Sequence, residues 1–180
     1  MDQAMTGWTE RTVRIETLHG SVEGHVLISQ LMRTLDELNM VSKAFLIVHS
    51  SVLDGTGWSF PEGELSVNKS NILFLAELSA PAGGQSEKFV DFTRARVRLR
   101  VGPFDVEGFV HVPPRGDPLL RFNQDTHPFI AVTSATVVGP DTRFEASFLA
   151  VKRSHILAVQ PLDEEPPELA AVSESSEADG

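Results

Sequence analysis

The sequence predicts a mainly β protein of two tandem small barrels, each with a short helix between its second and third strands. Three observations carry this. Residues 11–78 and 95–162 align with a constant shift of 84 and no gap, and 19 of the 68 paired positions are identical. Within each copy, apolar residues alternate or run together over strand-sized stretches. Glycine, proline and asparagine break those stretches at short intervals, as turns between strands do. A repeat of this kind divides the chain before any element is assigned. The expected division is a first barrel at 11–78, a linker at 79–93, a second barrel at 94–162 and a disordered tail at 163–180. Copies this small sit near the lower limit at which a core sustains itself, so each is expected to lean on the other or on a partner.

Each copy opens with a strand of period two, Val13, Ile15 and Thr17 in the first and Val97, Leu99 and Val101 in the second. A turn (Leu18-His19-Gly20; Gly102-Pro103-Phe104) leads into a second strand, Val22–Ile28 or Val106–Val112. Gly24 and Gly108 lie mid-strand, where glycine marks a bulge or a close backbone approach. Ser29 is positioned to cap a helix over Gln30–Leu38, with Leu31, Leu35 and Leu38 along one side and Asn39 closing it. In the second copy Asp117 caps, Pro118 takes the first helical position, and about one turn runs to Asn123. Apolar runs follow at Ala44–Leu53 and Phe129–Val138. The copies close with Glu64–Leu78 and Phe148–Leu162, each broken by a polar turn at 68–71 or 152–155. Ser79–Lys88 is a linker by composition, and 163–180 is acidic and poor in large apolar groups.

This order of elements resembles the SH3-like small barrels and, more narrowly, the Sm-like ones. The resemblance rests on the opening strand with its glycine turn, the glycine in strand two, and the closing pair joined by Val67-Asn68-Lys69-Ser70-Asn71-Ile72. The helix lies between strands two and three here, whereas Sm proteins carry theirs before strand one. The chain is also similar to a little-characterised group of bacterial small all-β domains. That likeness implies a fold and no activity.

Composition narrows the function. With no cysteine there is no disulfide framework, thiolate nucleophile or zinc-thiolate site. No basic stretch followed by an apolar core opens the chain, and no run approaches the ~20 apolar residues that cross a bilayer. A cytoplasmic protein is expected, either free or peripheral to a membrane complex. The net charge of -10 is concentrated in the tail, where seven acids and no Lys or Arg occupy 163–180. Residues 11–78 carry 5 bases and 8 acids, and residues 95–162 carry 8 bases and 6 acids.

The most distinctive local feature is Thr93-Arg94-Ala95-Arg96-Val97-Arg98-Leu99-Arg100. In a strand, Arg94, Arg96, Arg98 and Arg100 share one face and could grip carboxylates or phosphates. A tight hairpin would instead set Arg98 against Glu107 and Arg100 against Asp105, with Arg14 against Glu23 in the first copy. Arg94 and Arg96, with no acid opposite, are then the better candidates for a partner. Nucleic acid is disfavoured, since the chain has no tyrosine and the tail repels phosphate. The six histidines occupy different positions in the two copies and form no ligand-spaced pair. No cofactor or metal is expected, and no nucleophile elbow, P-loop or dinucleotide glycine pattern occurs. Arg115-Gly116-Asp117 reads as a turn into the Asp117 cap, and Asn68-Lys69-Ser70 as a sequon by chance.

The runs Ala44–Val48 and Ile72–Ala76 are apolar on successive residues, so both of their faces should be covered. The second face meets either the other copy or helix, or a different subunit. Trp8 and Trp58 are further candidate anchors. The expectation is therefore a non-catalytic structural or adaptor subunit docking on a larger protein assembly, in solution or on the cytoplasmic side of a membrane complex. The rival is an Sm-like nucleic-acid binder. An enzyme or small-ligand binder would instead need an apolar pocket with convergent polar groups.

Overall fold

Strand β1 (Trp8–Thr17) turns back into β2 (Gly20–Ser29), and α1 (Thr34–Asn39) follows. The first half continues with β3 (Phe45–Asp54), β4 (Gly63–Asn68), a single 3-10 turn at Lys69–Asn71 and β5 (Ile72–Glu77). The second half runs β6 (Thr93–Val101), β7 (Phe104–Val112), α2 (Pro118–Gln124), β8 (Phe129–Val138), β9 (Arg143–Lys152), a 3-10 turn at Arg153–His155 and β10 (Ile156–Pro161). The computed structural model describes residues 7–54, 63–78 and 92–162, so most of the expected linker and all of the expected tail lie outside the described residues. Under the shift of 84, β3 coincides with β8, β5 with β10 and the two 3-10 turns with each other, residue for residue.

The mid-strand glycines mark where the sheet bends. The β2–β3 register slips between Glu23 and His25, and the β7–β8 register slips between Glu107 and Phe109. A Cβ on Gly24 would stand 2.7 Å from the His49 carbonyl oxygen, and one on Gly108 would stand 2.6 Å from Val132 Cγ1. Opposite each bulge a serine takes a left-handed backbone, Ser50 at φ 47° and Ser134 at φ 49°. The same device therefore operates twice: the glycine lets two strands close up, and the serine absorbs the extra residue.

The first helix is shorter than expected. β2 runs through Ser29, which pairs with Trp8, so Ser29 is spent on the sheet and does not cap the helix. Arg33 takes the cap position, its N–H donating to Asp36 Oδ2 at 3.1 Å, and Leu31 is 98% exposed rather than part of an apolar stripe. In the second half, Asp117 does cap α2, accepting from the Leu119 N–H at 2.8 Å. The polar 3-10 turns hold the other helix ends. Lys69 Nζ donates to the Glu37 carbonyl at 2.6 Å, and Arg153, its counterpart, donates to the Asp125 carbonyl. Cations there bond carbonyls of the last helical turn or cap, the Glu37 carbonyl also accepting the Met40 N–H at 3.3 Å.

The strands form one antiparallel sheet in the order β10-β6-β7-β8-β9-β5-β1-β2-β3-β4, and it does not close. Two barrels separated by a linker were expected, but here the halves are stitched together by β5 and β9, from Phe74 opposite Val151 to Glu77 opposite Phe148. Both apolar cores cross the boundary. Leu73, Phe74 and Ala76 of β5 pack with Val97, Leu99 and Val106 of the second half. Phe129 and Ala150 of the second half pack with Ile15, Leu38 and Leu75 of the first. That is why β5 is apolar at successive residues: past the register shift beside Thr17, Phe74 and Ala76 serve one core and Leu75 the other.

Candidate partner-binding surfaces

On β6 the alternation of the strand buries Val97, Leu99 and Val101 and turns Arg94, Arg96, Arg98 and Arg100 to the other face. The hairpin register sets Arg98 opposite Glu107 and Arg100 opposite Asp105. Arg98 Nε lies 2.7 Å from Glu107 Oε1, and Arg100 Nη1 lies 2.9 Å from Asp105 Oδ2. Arg96 faces Phe109 but reaches diagonally to Glu107 Oε2 at 3.4 Å, so it has an acid after all. Arg94 stacks its guanidinium 4.2 Å above the Phe109 ring and donates to Ser134 Oγ at 3.3 Å. The hydrogen bond from Arg98 holds the Glu107 carboxyl below the usual carboxylate range. Across from Arg94, burial pushes the His111 imidazole below its ordinary value, and the charges of Arg94 and Arg121 add to that.

In the first half, Arg14 pairs with Glu16 at 2.7 Å and Glu23 at 3.4 Å, and its guanidinium lies 5.0 Å above the Phe144 ring of the second half. The counterpart of Arg98 thus faces the junction between the halves. Trp8 opens β1 and is half-exposed. Trp58 lies outside the described residues.

Inside the molecule, Asn39 at the end of α1 grips the first residue of β8. Its Nδ2 donates to the Phe129 carbonyl at 3.1 Å, and its Oδ1 accepts the Phe129 N–H at 2.8 Å. The Phe129 ring is 1% exposed in the first core, with Lys152 Nζ 4.7 Å above it. At the two ends of the sheet the equivalent positions are open. Phe45, the counterpart of Phe129, is 51% exposed, and Leu157, the counterpart of Leu73, is 72% exposed. Asn123, the counterpart of Asn39, is exposed and makes no side-chain hydrogen bond among the described residues. It borders an open cleft of about 670 Å³, which Phe122, Ile156, Leu157 and Val159 also line. No Asp, Glu or His lines that cleft, and among the described residues no group of three His, Asp or Glu could hold a metal ion.

The arginine strand stands out in the sequence, but the open ends do not. Their signal lies in the repeat: Phe45/Phe129 and Asn39/Asn123 are identical pairs whose surroundings differ. No protein-family model matches the chain, nor does any curated protein or solved structure. Among the described residues, no helix is long and apolar enough to cross a membrane.

Proposed function

We propose that this chain is a non-catalytic structural or adaptor subunit, two fused SH3/Sm-like units that dock end-on within a larger protein assembly. One observation carries the reading. Strand positions buried where the two halves meet, Phe129 and Leu73, have counterparts exposed at the ends of the sheet, Phe45 and Leu157. Exposed large apolar groups beside an unpaired strand edge favour association with protein. The arginine strand supplies a second, charged contact. Arg98 and Arg100 are largely neutralised by Glu107 and Asp105, which leaves the Arg94 end for an acidic partner. A partner complex on the cytoplasmic side of a membrane fits this surface as well as a soluble one.

The test is mild purification of the tagged chain from its native host, with and without detergent, beside the variants Phe45→Asp and Arg94→Glu. A stoichiometric protein that is lost with either variant supports the reading. Nucleic acid bound without protein, and lost with Arg94→Glu, would replace it with the Sm-like alternative.

A further inference from the structure

We propose that the occupant of the open ends is a second copy of this chain, joined head to tail through a repetition of the internal β5–β9 junction. The inference rests on the docking reading above and names the partner. At the internal junction, the second half offers Phe129 and strand β9, and the first half offers the Asn39 socket and strand β5. The chain carries both partners of that junction once more, with no strand paired to them among the described residues. The first half offers Phe45 and β4, and the second half offers the Asn123 socket and β10.

The correspondence extends beyond one residue pair. Ile156 and Val159 of β10 already pack on the second core, as Ile72 and Leu75 of β5 pack on the first. Leu157 and Ala158 are exposed, whereas Leu73 and Phe74 at the same positions are buried in the neighbouring half. On the plug side, Ile47 follows Phe45 on the same face and is 48% exposed. Where His155 contacts the Ser70 carbonyl at 2.8 Å across the internal junction, Asn71 of one copy can donate to the Ser154 carbonyl of the next. Charge favours the same pairing, because 11–78 holds three more acids than bases and 95–162 holds two more bases than acids.

Two differences make the contact between copies weaker than the internal one. Glu64 and Ser66 of β4 stand where β9 has Phe148 and Ala150. The Leu78 N–H donates to the Thr12 carbonyl, so the Glu77 N–H points to β9; the matching bond from Leu162 to Arg96 leaves Pro161 at the outer edge with no N–H to give. The association is therefore reversible and depends on concentration. A head-to-tail contact closes into a ring or extends as a filament according to its rotation, and either product has the same interface.

The decisive experiment uses the full chain in sedimentation velocity and light scattering over a concentration series. Wild type should gain mass with concentration, and Asn123→Ala should associate about tenfold more weakly through loss of a two-bond amide contact. Phe45→Asp spoils only the plug and Leu157→Asp only the socket, so each alone should stay monomeric. Mixed, each has one intact face, and they should form a 1:1 dimer that grows no further. Both substitutions are at exposed positions, and circular dichroism checks that the variants fold. A wild type that is monomeric throughout, or single variants that still assemble, would overturn the inference. If wild type stays monomeric yet Phe45→Asp loses a different protein in the native purification, self-association fails and the adaptor reading stands.

Discussion

Asn39 holds Phe129 by both edges of its amide, Nδ2 to the carbonyl at 3.1 Å and Oδ1 to the N–H at 2.8 Å. A residue of the first half thereby supplies the hydrogen bonds of a strand in the second. Replacing Asn39 with Ala leaves a part-buried donor and acceptor without partners and should cost about 1–3 kcal/mol. Asn123→Ala, at the matching exposed position, should change monomer stability by less than about 0.5 kcal/mol. Urea titrations of the two variants at low protein concentration make the comparison.

Phe74 belongs to the first half by sequence and to the second core by packing, with its ring 5.1 Å from Phe104 in an edge-on arrangement. Phe74→Ala should therefore cost about 3–5 kcal/mol and loosen the second half more than the first. Hydrogen exchange resolved by residue should show protection falling in β6 and β7. Loss confined to β1 and β2 would contradict the shared core.

Gly24→Ala and Gly108→Ala should each destabilise the fold by about 1–3 kcal/mol, because the added methyl meets a β3 or β8 atom at under 3 Å. At Gly24 the His49 carbonyl oxygen and Val48 Cγ1 both stand at 2.7 Å, and relief from the backbone oxygen needs a strand to move. Thermal unfolding of the two variants should give lower midpoints than wild type.

The Glu107 carboxyl, held down by the hydrogen bond from Arg98, titrates below its unfolded value. Its contribution to stability is fully present above the unfolded carboxylate pKa and is lost as pH falls through the lower folded one. Glu107→Gln should flatten the acid side of the stability–pH curve in that window and leave the slope near neutrality unchanged. Denaturant midpoints measured across the acid range give the curve.

Much of the strand order within each half was legible from alternation and turn residues. Val97, Leu99 and Val101 announce the buried face of β6, and Asp117-Pro118 announces the start of α2. Three features were not legible. Ser29 looks like a helix cap, but whether β2 extends to claim it depends on the length of β1, which is a tertiary matter. Lys69 and Arg153 read as surface turn residues, since nothing local says that their side chains fold back onto a helix end. The union of the halves was hidden because the run Ile72–Ala76 says only that both faces are covered. The arginine row was visible at once, yet the diagonal from Arg96 to Glu107 depends on side-chain reach rather than on strand register.

The strand β5, shared by both cores, also bears on how the proposed assembly would respond to protein concentration. Because β5 and β9 lie on one chain, their meeting is governed by an effective concentration that covalent linkage fixes. It is thus insensitive to how much protein is made. The end strands β10 and β4 have no such partner strand among the described residues. Fusion of two units into one polypeptide makes the β5–β9 pair permanent, and under the proposed head-to-tail assembly only the number of joined chains would follow expression level.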